Sequence, residues 1–102
     1  MVANASSING SAGRLADQLA AKGFTMRKST NAAGIDERLD ASKIYVIAGS
    51  EGVAQSISQL MGGIPVLRMP TPAWITGGTA GLGDVTVLVM LGNDRAAQPL
   101  VA

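Results

Sequence analysis

Apolar residues recur along this chain with two spacings, one typical of helices and the other typical of strands. The helical spacing occurs first at Ala12, Leu15, Ala16, Leu19 and Ala20. We expect Ser11 to cap this first helix and Gly23 to end it. The same spacing recurs at Val53, Ala54, Ile57, Leu60 and Met61. This second predicted helix follows the turn Gly49-Ser50-Glu51 and ends at Gly62-Gly63.

Strand-like runs flank both predicted helices. They are Val2–Ala5, Phe24–Lys28, Lys43–Ala48, Ile64–Met69 and Val85–Leu91. The last run is apolar on both faces, which favours a central strand. Pro65 lacks a backbone N–H and therefore indicates a strand start or a sheet edge. Together the runs predict an α/β (α+β) two-layer sandwich in βαββαβ-β order, with one mixed sheet of about five strands and two helices on one face.

The remaining segments read as connections and a tail. The polar stretch Ser29–Ser42 predicts a surface connection, and Pro70–Asp84, rich in Pro, Gly and Thr, predicts an irregular loop or short hairpin. From Gly92 onward we expect the chain to be unfolded. The domain prediction is one domain over residues 1–95 and a flexible tail over 96–102. Because Met1 leads straight into a strand, we also expect a domain cut from a longer protein.

Composition narrows the function classes. The chain has 102 residues, of which 47% are hydrophobic and 15% charged, as expected for one folded domain. A net charge of +1 without a basic cluster argues against nucleic-acid binding. The chain contains no run of apolar residues long enough to span a bilayer. We therefore expect contact with a membrane only through an upstream anchor.

Catalysis is hard to assemble from these residues. The chain has no His and no Cys, so the usual general base and the best nucleophile are absent. Asp36, Glu37 and Asp40 could resemble a glycosidase pair or a metal site, but their polar setting favours a solvated turn. We predict no enzymatic activity, no catalytic residue, no metal site and no cofactor.

The turn before the first helix is a candidate anion site. Gly10 and Gly13 bracket a helix start, where backbone N–H groups are free to bind an anion, and Arg14 lies in the first turn. Ser6, Ser7 and Ser11 add hydroxyl groups. The spacing matches neither a Walker A loop nor a dinucleotide fingerprint. The simpler interpretation is therefore a tight strand-to-helix turn.

The loop Pro70–Gly83 carries the chain's only tryptophan, Trp74. Loops on rigid scaffolds often carry function, and tryptophan is frequent at interface hot spots. The alternative is that Trp74 and Ile75 fold onto the sheet as additional core. The sequence leaves these two interpretations equal.

Several short motifs follow one another in a characteristic order. The first half contains Asn4-Ala5-Ser6, Gly10, Arg14-Leu15-Ala16, Gly23-Phe24-Thr25 and Asn31-Ala32. The second half contains Ile44-Tyr45-Val46, Gly49, Val53-Ala54 and Leu91-Gly92-Asn93-Asp94. This succession resembles the C-terminal domain of LytR-type proteins, the LytR C-terminal (LytR_C) family of actinobacterial envelope proteins. Two departures are Asn4-Ala5 in place of Asn-Gly and a longer, more apolar loop over residues 70–84.

The resemblance implies an extracytoplasmic domain of the cell envelope behind a single upstream transmembrane helix. The likeness is greatest to membrane-anchored mycobacterial proteins that carry only this domain, of the VirR kind. In LytR–CpsA–Psr ligases, which attach glycopolymers to peptidoglycan, catalysis resides in a separate domain. The C-terminal domain is usually taken as a binding or scaffolding module.

Three functions remain as hypotheses. The first is a binding and scaffolding domain for peptidoglycan or for a wall-assembly partner, including a LytR–CpsA–Psr ligase. The second is a lipid or small apolar ligand carrier with a groove beneath residues 70–83. The third is an accessory domain to a glycopolymer–peptidoglycan ligase. The candidate binding residues are Asn4, Ser6, Ser7, Gly10, Arg14, Arg68, Trp74 and Ile75.

Overall fold

A computed structural model describes residues 1–8, 10–24, 26–71, 73–83 and 85–96. Its strands are β1 (Val2–Asn4), β2 (Thr30–Asn31), β3 (Lys43–Val46), β4 (Val66–Arg68) and β5 (Val87–Leu91). Its α-helices are α1 (Ser11–Ala21), α2 (Glu51–Leu60) and α3 (Gly78–Leu82), and a short 3₁₀ helix covers Gly34–Asp36. None of the helices in the described part of the chain is long and apolar enough to cross a membrane.

The five strands form one mixed sheet in the order β2-β1-β5-β3-β4. Strand β1 is parallel to β2 and β5, whereas β3 is antiparallel to β5 and parallel to β4. Helix α1 connects β1 to β2 and α2 connects β3 to β4, so these two parallel pairs are βαβ units. The predicted mixed α/β fold is confirmed. Strand β5 is central and β4 is an edge, as the apolar run and Pro65 predict.

Helices α1 and α2 pack on the same face of the sheet and form the first core. Side chains that alternate along β3 and β5, such as Ile44 and Val89, point toward the helices because successive residues of a strand face opposite sides. The helices contribute most of the residues of the two predicted stripes, including Leu19 and Ile57. The apolar periodicity therefore identified this layer correctly.

The opposite face of the sheet is covered by the connection between β4 and β5. Ala73, Ile75 and Leu82 from this connection pack against Leu88 and Met90 in a second core. The predicted irregular loop thus contains α3 and acts as a cover for the sheet. A cover of this kind is needed because β5 is apolar on both faces, and both faces must be removed from water.

Two connections differ from the prediction. The described residues of Phe24–Lys28, which are 24 and 26–28, are not in a strand. Phe24 and Met26 are half-buried against the first core, and pairing with β1 begins only at Thr30. Their alternation arises from packing against the helices and not from a sheet register. The stretch 29–42 is also more than a surface connection, since it contains β2 and the 3₁₀ helix.

The chain beyond β5 does not unfold at Gly92. Residues 92–96 form a turn in which the Ala96 N–H donates to the Gly92 carbonyl, and the Ala96 side chain is buried in the first core. Apart from Ala96, the predicted tail over 96–102 lies outside the described residues. The turn holds because its polar groups find partners elsewhere in the fold, as described below.

Candidate functional site

The turn that follows β1 is organised around the side chain of Asn4. Its Oδ1 accepts hydrogen bonds from the Ser6 N–H at 2.9 Å and from the Ser6 hydroxyl at 2.6 Å. The Ser11 hydroxyl lies 3.1 Å from the same oxygen, and Asn4 Nδ2 donates to the Ile8 carbonyl at 3.0 Å. One amide side chain therefore shapes the whole turn, as asparagine does in an Asx-turn.

The prediction that Ser11 caps α1 is wrong. Gly10 is the N-cap residue, with a φ of 80° that favours glycine. Ser11 is the first helical residue, and its hydroxyl turns back to the Ile8 carbonyl at 2.9 Å. Ser6 and Ser11 are both buried and lie 3.0 Å apart through their hydroxyls. These hydroxyls serve the turn itself, which supports the tight-turn interpretation over an anion cradle.

The turn after β5 clasps the start of α1. Asn93 Oδ1 accepts hydrogen bonds from the Ser7 N–H at 2.9 Å and from the Ser7 hydroxyl at 3.1 Å. The Arg14 guanidinium donates to the Ala96 carbonyl. Both Ser7 and Arg14 thus contact the last described residues of the chain.

The same turn also clasps the segment before β3. Asp94 Oδ1 accepts hydrogen bonds from the Ser42 N–H at 2.9 Å and from the Ser42 hydroxyl at 2.7 Å. That hydroxyl in turn accepts the Gly92 N–H at 2.8 Å. The Leu91-Gly92-Asn93-Asp94 motif is therefore a structural clasp. We name residues 92–96 with their partners Ser7, Arg14 and Ser42 the C-terminal clasp.

A buried ionic cluster lies beneath the covered face of the sheet. Asp36 is only 2% exposed. Its Oδ1 lies 3.1 Å from Lys43 Nζ, and its Oδ2 accepts a hydrogen bond from the Tyr45 hydroxyl. Lys43 Nζ also lies 5.1 Å from the centroid of the Tyr45 ring, within cation–π range.

The cluster shifts the pKa values of two of its members. Burial would lower the pKa of Lys43, but its hydrogen bonds with Tyr45 and Asp36 outweigh this and raise it. Burial, followed by the hydrogen bond to Asp36, raises the pKa of Tyr45. At neutral pH the protein therefore holds Lys43 as an ammonium group and Tyr45 as a neutral phenol.

The prediction of a solvated turn at Asp36, Glu37 and Asp40 is wrong for Asp36. Glu37 and Asp40 are exposed, but the 3₁₀ helix turns Asp36 inward. The burial is tolerated because Lys43 and Tyr45, which alternate on one face of β3, supply a charge and a donor. The i, i+2 spacing of Lys43 and Tyr45 was the only sequence signal for this cluster.

Trp74 is half-buried, and its indole ring packs against the 3₁₀ helix that contains Asp36. A Cβ at Gly34 would lie 2.8 Å from Trp74 Cε3, so the indole packs on the bare glycine backbone. The Ala33 N–H donates to the Trp74 carbonyl at 2.9 Å. Ile75 is 3% exposed and belongs to the second core. The sequence left open whether Trp74 and Ile75 form a binding surface or additional core. Ile75 belongs to the core, whereas Trp74 lies partly at the surface.

We name Trp74, Gly34, Asp36, Lys43 and Tyr45 the Trp74 surface. The 3₁₀ helix supplies both Gly34, which contacts the indole, and the carboxylate of Asp36. The side chain of Lys43 is 24% exposed, so the cluster reaches solvent through a cation. The surface therefore presents a half-buried indole and the Lys43 cation, while the Asp36 carboxylate and the Tyr45 hydroxyl are buried beneath it.

The structure places the predicted binding residues in separate regions. Asn4, Ser6, Ser7, Gly10 and Arg14 lie together at the end of β1 and around the start of α1. The segment 32–39 connects this turn to the Trp74 surface, because the Ala32 N–H donates to the Asn4 carbonyl and the Arg38 guanidinium to the Ser6 carbonyl. Arg68 lies exposed on the edge strand β4.

An apolar groove was predicted beneath residues 70–83. Ala73, Ile75 and Leu82 pack directly onto the sheet there. A groove of about 420 Å³ opens instead on the helix face, between the segment after α1 and the first turns of α2. It is lined by Met1, Gly23, Phe24, Met26, Arg27, Val53, Ile57, Val85, Thr86, Val87 and Val89.

These features define a small mixed α/β domain whose buried polar groups hold turns and an internal ion pair in place. In the part of the chain that the structure describes, no three acidic side chains gather closely enough to hold a metal ion.

The chain belongs to the LytR_C family, described as LytR cell envelope-related transcriptional attenuator, whose match covers residues 1–94. LytR_C is a non-catalytic, envelope-associated C-terminal domain of the LytR family. Searches among curated proteins and among solved structures gave no match. The family membership confirms the resemblance seen in the succession of motifs.

Proposed function

We propose that this chain is a non-catalytic, extracytoplasmic binding and scaffolding domain that supports the cell envelope by binding peptidoglycan glycan strands. The observation that carries the proposal is the Trp74 surface, where a half-buried indole packs on the 3₁₀ helix that also carries the buried carboxylate of the ionic cluster. Membership of an envelope-related family supports the cellular setting. An upstream transmembrane helix would tether the domain to the plasma membrane.

The chemistry of the Trp74 surface suits a sugar polymer. An indole face is flat and apolar, so it can cover the C–H face of a pyranose ring, and its N–H can donate a hydrogen bond. Lys43, whose side chain is 24% exposed, adds a cationic hydrogen-bond donor. Because Gly34 and the second core hold the indole in place, little conformational entropy is lost on binding.

A wall-assembly protein, such as a LytR–CpsA–Psr ligase, is the alternative partner for the same surface. Tryptophan is the residue type most enriched at protein-interface hot spots, and the surrounding charges would provide a polar rim. The two partners make different demands on Trp74: a sugar needs a flat ring, whereas a protein pocket needs apolar volume. Trp74→Phe and Trp74→Leu therefore separate them.

Co-sedimentation with purified peptidoglycan tests the proposal. We expect the wild-type domain to pellet with peptidoglycan and Trp74→Ala to lose most of this binding, because the stacking face is removed. Val53→Ala is the matched control, since Val53 is also exposed but lies on the helix face. Binding that survives in Trp74→Phe but not in Trp74→Leu would support sugar stacking. Wild-type protein that stays in the supernatant would refute glycan binding.

The relocated groove favours a second function, the binding of an apolar ligand. The groove lies on the opposite face of the sheet from the Trp74 surface, so the two functions are independent.

A further inference from the structure

The groove on the helix face reaches down to buried residues of the first core. Its floor is formed by Ile57, Val87 and Val89, which are buried members of the first core. Phe24 and Met26 form one wall, and both are half-buried. A volume of about 420 Å³ falls in the range of roughly 300–1,000 Å³ typical of small-molecule sites. The groove is therefore deep enough to take an apolar chain down to the core.

The apolar stripe of α2 extends beyond the core and into this groove. Ile57 is buried, but Val53, one turn earlier on the same face, is 48% exposed. A helix stripe normally ends where its cover ends, because exposed apolar surface is unfavourable. Val53 lines the groove, so an apolar occupant of the groove would complete the cover of α2.

The polar groups of the groove indicate the sign of the occupant's charge. Arg27 is the one charged side chain among the described residues that line it. Lys28 follows directly and is exposed. An occupant with an apolar tail and an anionic head would place its tail on the floor and its head near the guanidinium, in a charge-assisted hydrogen bond.

We propose that this groove binds the alkyl chain of a fatty acid, with the carboxylate at Arg27. This inference does not depend on the proposed function, because the Trp74 surface lies on the other side of the sheet. It gives the domain a lipid-binding site on its helix face, in addition to a wall-binding surface on its loop face.

Titration of the domain with dodecanoate, below its micelle concentration, tests the proposal by isothermal calorimetry and by NMR shifts of Phe24 and Met26. We expect saturable binding at one site. Val53→Asp places a carboxylate in the groove wall, where it opposes both the apolar tail and the anionic head. We expect at least about a ten-fold loss of affinity from this change, because a charge in an apolar site is strongly unfavourable.

Leu67→Asp is the matched control. Leu67 is 45% exposed and lies on the edge strand β4, outside the groove lining. We expect it to bind dodecanoate as the wild type does. If Val53→Asp proves unstable by circular dichroism, Val53→Ser provides the same comparison with a smaller expected loss.

Three results would overturn the proposal. The first is an absence of dodecanoate binding at millimolar concentration. The second is equal affinity in the wild type and in Val53→Asp. The third is equal or tighter binding of dodecyltrimethylammonium, which would exclude an anionic head group. Self-association that Val53→Asp abolishes without added fatty acid would instead assign the groove to a second copy of the chain. Each of these outcomes leaves the peptidoglycan experiment unaffected.

Discussion

Asp36 is a buried carboxylate, and the fold must supply partners for its charge. A buried carboxylate is costly unless a charge and hydrogen bonds replace its water. Lys43 supplies the charge at 3.1 Å, and Tyr45 donates its hydroxyl. Because both partners lie on β3, the cluster also fixes the 3₁₀ helix, and with it Gly34 and Trp74, against the sheet.

Tyr45→Phe tests this role at the level of one hydroxyl group. The ring is retained but Asp36 loses a donor, so we expect the free energy of unfolding to fall by about 1–3 kcal/mol. Urea denaturation measures the change. Glu37→Gln is the control, because Glu37 is the exposed neighbour of Asp36, and its effect should stay within about 0.5 kcal/mol. Equal stability of Tyr45→Phe and the wild type would show that the hydroxyl does not support Asp36.

At the scale of elements, the C-terminal clasp explains why the turn after β5 stays folded. It offers no large apolar side chain, yet it contacts the turn before α1 through Asn93 and the segment before β3 through Asp94. Gly92 makes these contacts possible, because the backbone of residues 39–42 passes directly against it. A Cβ at Gly92 would lie 2.8 Å from the Ala41 carbonyl carbon and 2.9 Å from the Leu39 oxygen.

Gly92→Ala should therefore destabilise the domain through steric overlap with backbone that has little room to move. We expect a loss of about 1–3 kcal/mol in unfolding free energy, measured by urea denaturation. Gly52→Ala is the matched control, because Gly52 lies within α2 and an added Cβ meets nothing within 4 Å. That change should stabilise the domain by about 0.4–1 kcal/mol. A neutral Gly92→Ala would mean that the clasp is looser than these distances indicate.

At the scale of the molecule, sequence periodicity correctly predicted the layer that α1 and α2 form on the sheet, because this layer depends on local sequence patterns. The stripes of α1 and α2 and the doubly apolar run of β5 each depend on neighbouring residues, so they could be read directly. The cover formed by residues 73–83 and the burial of Asp36 depend on contacts between distant segments. The strand prediction for Phe24 and Met26 was wrong for the same reason. Their alternation matched a strand, but they pack against the first core and do not pair with another strand.

Tertiary contacts also limit how much of each candidate site could be predicted from the sequence. Ser6, Ser7 and Ser11 have the composition of an anion cradle, and only the position of Asn4, Ile8 and Asn93 shows that they bond within the protein. Trp74 was identifiable as a candidate because it is the chain's only tryptophan. Its ionic neighbours were not, because the contact between residues 36 and 43 depends on how the 3₁₀ helix packs against β3.

The stability of the whole domain should fall at alkaline pH, because both shifted groups of the ionic cluster have raised pKa values. Folding favours protonated Lys43 and protonated Tyr45. Their contributions are complete below the ordinary values of 10.5 and 10.0. They are lost as the pH rises through the higher values of the folded state, since the unfolded chain releases these protons first.

Thermal unfolding from pH 8 to 11.5 should therefore show a falling midpoint. Lys43→Met should be less stable at pH 8 and decline less steeply, whereas Lys28→Met, at an exposed position, should follow the wild-type curve. Parallel decline of wild type and Lys43→Met would place the origin of alkaline instability outside the cluster.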